Sequence, residues 1–300
     1  MTTFDELMTE TRSKLSGAVG RDQVNVLNGL IDDTQTTITM TYLFSAALDP
    51  GSVLEIDAEQ MLVMSTAVPA VTVLRGWNGT AATLHLDLSV VTIEPRFPRA
   101  SIWRALVDEL LSLPTGIFKV GTAVCTFPAG EATTNLTGVT TPVYRLLDAQ
   151  RQNFDGPQYG WKRPDLNLLR NMPTATFASG YALTLSNGAT YASAATVRVT
   201  YATPLTGPPP GFEYSTDVNS EGGLPASATD VLPLGAGSRL LLDKEALRVD
   251  MQRQGQSREL TEVPANYISA VAGRWRTLAD IRISQEVTRL LAIYPYYGVA

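Results

Sequence analysis

Three carboxylates spaced two apart, Glu55-Ile-Asp57-Ala-Glu59, come nearest to a reactive constellation in this 300-residue chain. On one extended strand, side chains at i, i+2 and i+4 share a face, and oxygens so aligned could hold a hard cation such as calcium or magnesium. If Asp57-Ala58 instead turns the chain between two strands, the three part company; the expectation is a structural turn with solvated edge carboxylates. The adjacent acids Asp32-Asp33 and Asp108-Glu109 are of the kind common in loops and at helix ends. His85, the only histidine, has neither Cys, Asp nor a second His beside it in sequence, and is read as a hydrogen-bonded structural residue. Cys125, the only cysteine, stands in the apolar run GTAVCTFPAG and is read as a buried thiol; one cysteine excludes an intrachain disulfide and a four-thiolate zinc site.

The enzymatic reading is a hydrolase using Glu55, Asp57 or His85, and no motif supports it. GxSxG, GxxxxGK[ST], GxGxxG after a strand, HExxH and the EF-hand loop are all missing. Accordingly no catalytic residue, cofactor, cofactor-binding residue or metal ligand is assigned.

Apolar residues make up 44% of the chain and charged residues 17%, the balance of a folded protein. The net charge of −6 is unevenly spread: residues 1–100 hold 6 Lys and Arg against 12 Asp and Glu. Gripping nucleic acid by its phosphates needs clustered cations, so tight DNA binding is not expected. The first fifteen residues lack a basic stretch followed by an apolar core, and no run approaches the ~18 apolar residues of a membrane span. Folding in a cytoplasm, with no membrane partner, is the expectation.

The periodicity predicts an α+β chain. An amphipathic helix is expected over 3–16, ended by Gly17 and Gly20. Five short alternating segments follow, TTITMTY, SVLEID, EQMLVMSTA, AVTVLRG and LSVVTIEPRF, which suggest a small barrel or sandwich. A helix over 98–113 stops at Pro114, giving a first unit of residues 1–114. Residues 115–206 alternate again and predict an inserted β-sandwich, with Asn187-Gly188 as its strongest hairpin signal. The Pro/Gly-rich stretch 207–226 reads as a linker. Beyond it, residues 227–300 predict an antiparallel helical pair and a tail, the first helix capped by Ser227 or Thr229 and the second starting near Pro264.

Two surfaces stand out as places for a partner. Gly76 and Gly79 flank Trp77 in the turn Arg75-Gly-Trp-Asn-Gly, which reads as an exposed turn offering its indole as an anchor. In the last helix Trp275 falls on an apolar stripe, while Arg282, Glu286 and Arg289 follow one another on another face, expected to be solvated or to form a charged interface.

The stretch LEIDAEQMLVMSTAVPAVTVLRGWNGTAATLHLDLSVV, followed by RF, resembles neck proteins of tailed bacteriophages, through Arg75, Gly76, Asn78, Gly79, Thr80 and His85. DVLPLGAGSRLLLDKEA and the helix ending RLLAIYPYY are similar to the helical part of head-to-tail connector proteins of such phages. This resemblance implies a virion protein, assembled in the host cytoplasm as a closed, twelvefold ring of identical subunits. Its partners would be the portal protein and tail or stopper proteins, with transient, non-specific contact to passing DNA. It makes Tyr294, Pro295, Tyr296 and Tyr297 a docking tail. The expected interface residues are thus Arg75, Trp77, Asn78, Trp275, Arg282, Glu286, Arg289, Tyr294, Tyr296 and Tyr297. The alternative is a baseplate or tail-tip protein whose second β domain binds host glycan through Tyr159, Trp161, Tyr181 and Tyr191.

Overall fold

The computed structural model describes residues 2–19, 22–42, 48–139, 142–153, 160–208, 214–253 and 267–294. Helix α1 (Phe4–Val19) opens with a reciprocal cap: the Thr3 N–H donates to Glu6 Oε2 at 3.2 Å and the Glu6 N–H to Thr3 Oγ1 at 3.3 Å. It buries Phe4, Leu7, Met8, Thr11 and Leu15. Contrary to expectation Gly17 does not end it. One glycine in a last turn costs only about 1 kcal/mol, which the packed inner face outweighs.

The first β unit has six strands, β1 (Gln23–Val26), β2 (Thr37–Thr39), β3 (Val53–Ile56), β4 (Glu59–Ala67), β5 (Ala70–Leu74) and β6 (Val90–Ile93). They form one antiparallel sheet in the order β1-β6-β3-β4-β5-β2. Its two outer strands also meet: Leu27 bridges Met40, the Asn28 N–H donates to Thr39 O and the Thr41 N–H to Val26 O, both at 2.8 Å. The sheet therefore curls around its own core of Leu54, Ile56, Met61, Val63, Val71, Val73, Val91 and Ile93. Strand β1 was not among the expected five, because Gln-Val-Asn-Val turns an asparagine inward where alternation calls for an apolar residue.

Helix α2 (Arg99–Ser112) lies within a residue of its predicted bounds. After it come β7 (Lys119–Phe127), β8 (Thr133–Asn135), β9 (Arg145–Asn153), β10 (Gly160–Lys162), β11 (Leu166–Leu169), β12 (Ala182–Leu185) and β13 (Ala195–Thr203). They pair as two sheets, β10-β9-β13-β7 and β11-β12-β8. Phe127, Val197 and Val199 of one share a core with Leu166, Leu183 and Leu185 of the other, and Cys125 is buried there. The expected hairpin at Asn187-Gly188 does not form. Gly188 does take φ +65°, but β12 and β13, on either side, belong to different sheets, so the turn carries the chain across the sandwich instead of pairing its flanks.

Helices α3 (Val231–Arg253) and α4 (Tyr267–Ile293) form the C-terminal pair. Pro264 and any cap it provides lie outside the described residues. All four helices contribute to one apolar core, for example Leu15 of α1, Leu106 of α2, Leu232 and Leu241 of α3, and Ile268 and Leu290 of α4. The two β units are thus insertions between helices of a common bundle. The Pro/Gly-rich stretch is packed where it is described: Val218 and Leu224 are buried, and Tyr214 O and Thr216 O accept the Asp5 and Phe4 amides of α1 at 2.9 and 3.2 Å.

Glu55 joins the first β unit to this bundle. Its Oε1 accepts from Arg12 Nη1 of α1 at 2.8 Å, and its Oε2 from the Arg99 amide at 2.7 Å, at the N-terminus of α2 where the helix dipole favours an anion. Burial nonetheless pushes its carboxyl above the usual range, with Arg12 and Arg99 opposing.

Candidate interaction surface

Asp57-Ala58 is indeed the turn between β3 and β4, and it separates the three acids. Glu55 and Glu59 are not solvated edge groups, however: both are buried, each inside its own set of partners. Among the described residues no group of three His, Cys, Asp or Glu is placed to hold a metal.

Glu59 opens β4 with its carboxylate turned inward, and a buried charge is tolerable only if donors surround it. Five do. Arg75 Nε and Nη2 approach Oε1 and Oε2 at 2.7 and 2.8 Å; the Gly76 amide bonds Oε1 at 3.0 Å; the Thr83 amide and His85 Nε2 bond Oε2 at 3.0 Å each. Desolvation pushes the Glu59 carboxyl up, but Arg75, His85 and the two amides outweigh it and hold the pKa at about 2. The remaining Arg75 hydrogens go to the carbonyls of Asp32, Gln35 and Thr83 at 2.6, 2.9 and 2.6 Å.

His85 is buried with its Nδ1 2.7 Å from Asp57 Oδ2 and its Nε2 3.0 Å from Glu59 Oε2. An imidazole can donate from both nitrogens only as the imidazolium, so this geometry calls for the charged ring. Desolvation alone would lower its pKa; hydrogen bonds and charge from Glu59 and Asp57 raise it instead. With both nitrogens committed to carboxylates, the ring has no free lone pair with which to act as a base.

The stretch 75–85 is consequently rigid. Gly76, Asn78 and Gly79 hold left-handed φ values of 64°, 55° and 76°, and a Cβ at Gly76 would meet Thr80 O at 3.0 Å. Thr80 Oγ1 donates to Trp77 O at 2.8 Å and accepts the Gln60 amide at 3.0 Å, while Asn78 Nδ2 donates to Gln60 Oε1 at 2.7 Å.

What this scaffold presents outward differs from the expected set. Arg75 is spent internally, and Trp77 is half-buried. The chain beyond it alternates instead, with His85 inward and Leu84 and Leu86 outward. His85 bridges Ile31, which sets Leu30 opposite Leu86 on the outer side. Leu86, Asp87, Leu88 and Ser89 then form a turn closed by the Ser89 amide on Leu86 O at 3.2 Å, followed by Val90 opposite Val26. Leu30, Leu84, Leu86, Leu88 and Val90 are each more than half exposed. Leu88 has φ +67°, at the third turn position, where glycine or asparagine is the usual occupant. Alternation of Leu84, Leu86 and Leu88 around the histidine was the available sequence signal for this row.

At the other end of the chain the expected interface residues are mostly internal ties. Trp275 packs on Gly237 across the α3–α4 seam, where a Cβ would come within 2.6 Å of its ring. Glu286 is buried, not solvated, and accepts from Ser227 Oγ at 2.8 Å and from Arg289 Nε at 3.0 Å. Ser227 is thereby used in this bond and not as a helix cap, since α3 begins at Val231. Arg282 reaches Asp230 at 2.8 Å. Tyr294 folds back so that its ring meets Phe118 edge-on at 6.2 Å; Tyr296 and Tyr297 lie outside the described residues. A buried carboxylate also locks the seam: Glu109 of α2 pairs with Arg239 at 2.7 Å and Arg276 at 2.9 Å.

Of the aromatics considered for glycan, Tyr181 accepts the Val143 amide on its hydroxyl Oη at 3.2 Å, and Tyr191 meets Phe127 edge-on and lies under Arg151. Tyr159 and the Trp161 side chain lie outside the described residues. Comparison with protein-family models, curated proteins and solved structures found no match to this chain. No helix among the described residues is long and apolar enough to cross a membrane.

Proposed function

We propose that this chain is a structural, non-enzymatic subunit of a tailed-phage virion, assembling with copies of itself into a closed ring at the head-to-tail junction. In this role it joins the portal protein to tail or stopper proteins and lets DNA pass. The observation that carries the reading is the row of exposed leucines held out by a buried ionic network. A lone subunit gains nothing from it, because scattered apolar residues are ordinary but a contiguous row marks a contact surface.

Charge supports the same reading. Residues 22–94 contain one Lys or Arg, Arg75, whose side chain is buried as is the His85 imidazolium, while Asp32, Asp33, Asp49, Asp57, Asp87 and Glu94 are exposed. A duplex threading past such a surface finds no phosphate-binding cations and slides. The test is to image the purified protein and intact virions by cryo-electron microscopy. Rings of this protein, and density for it below the portal, are expected; a virion lacking it at the neck would overturn the assignment.

A further inference from the structure

We propose that the leucine row of the first β unit and the outward stripe of α4 are the two halves of one contact, made between successive copies of this chain. The inference rests on the ring reading and names the surfaces that close it.

The area comes first. Leu30, Leu84, Leu86, Leu88, Val90 and the nearby Val24 are each more than half exposed. At roughly 100 Å² apiece they leave on the order of 600 Å² of apolar surface in water, the upper end of what monomers tolerate and most of the ~800 Å² that each partner gives to a stable interface. Chemistry then selects the occupant. Exposed carboxylates, among them Asp32 and Asp87, border the row, and the unit has no exposed cation, so the complementary surface must be apolar with a positive charge. The chain carries such a surface on α4. Tyr267, Arg274, Leu278 and Ile281 recur at helical spacing on its solvent side, and all four are exposed. Arg274 has no ion-pair or hydrogen-bond partner among the described residues, unlike Arg276, Arg282 and Arg289 of the same helix.

The two patches sit on different elements, so each copy offers one to the neighbour on either side. Such a contact is heterologous and propagates into a ring when the rotation closes. Leu88 adds a second mark. A bulky residue held at positive φ, and exposed there, is unfavourable for an isolated subunit on both counts, and is explained by burial against a neighbour.

Native mass spectrometry of the full chain and of Leu86→Ser/Leu88→Asn and Arg274→Glu tests this. All three are expected to fold, with Leu88→Asn melting no lower than wild type because asparagine accepts the left-handed backbone. Both variants should weaken assembly by roughly tenfold or more. Leu86→Cys and Leu278→Cys chains, mixed and oxidised with copper phenanthroline, should cross-link to each other, and neither should do so alone. Wild-type rings with equally assembled variants and no cross-link would overturn the proposed contact and leave the ring standing. A wild-type chain that stays single would overturn both.

Discussion

Arg75 and Glu59 meet through two parallel hydrogen bonds, Nε to Oε1 at 2.7 Å and Nη2 to Oε2 at 2.8 Å, with side chains 6% and 0% exposed. A pair so withdrawn from water is bound to the fold in a way that a surface pair is not. Removing Arg75 takes two of the five donors, and one of the two cations, from a buried carboxylate, at a cost of about 3–5 kcal/mol. Arg75→Met is therefore expected to lose that much in urea denaturation. Arg282→Ala, which breaks the exposed pair with Asp230, should lose no more than about 1 kcal/mol. Equal losses for the two would contradict the account of the network.

The same network gives stability a pH window. The Glu59 carboxyl is held at about 2 when folded against an ordinary value of 4.5, so its contribution is complete above 4.5 and fades as pH falls through that range. His85 is raised above its ordinary 6.5 when folded, so its contribution is complete below 6.5 and fades as pH rises through the folded value. Maximum stability is expected between these limits. His85→Gln should flatten the alkaline decline and leave the acid decline in place, as measured by denaturation from about pH 2 to about pH 9. An unchanged alkaline decline in that variant would show that His85 does not carry it.

Gly235 and Gly237 of α3 make a prediction of unusual sign. Alanine in an exposed helix interior ordinarily stabilises by about 1 kcal/mol over glycine. Here a Cβ at Gly235 would lie 2.3 Å from the Glu109 carboxylate, and one at Gly237 would lie 2.6 Å from the Trp275 ring. Both Gly→Ala variants should melt below wild type, whereas Gly273→Ala, with nothing within 4 Å, should melt at or above it.

Much of the architecture was legible in the sequence, for local reasons. The three- and four-residue steps of Ile102, Leu106 and Leu110 define α2 almost to the residue, and alternation marks β3 to β6. Burial over long sequence separations was not legible. Glu59 finds Arg75, Thr83 and His85 only because β4 and β5 fold back on each other, so the carboxylate reads as an edge charge until its inward place on the strand is seen. Glu286 likewise looks like part of a solvated charged face because its partner Ser227 is 59 residues away. The proline- and glycine-rich stretch resembles a linker by composition, yet Val218 and Leu224 seat it in the helical core. At the interaction surface, glycines drew the reading to Trp77, whereas the exposed apolar residues follow it, from Leu84 to Val90.

Native mass spectrometry of the wild-type chain, taken over a range of protein and salt concentrations, bears most directly on self-assembly. A single closed species containing a fixed number of identical subunits, in exchange with monomer as protein is diluted, is the predicted result. One-subunit mass at every concentration would contradict it.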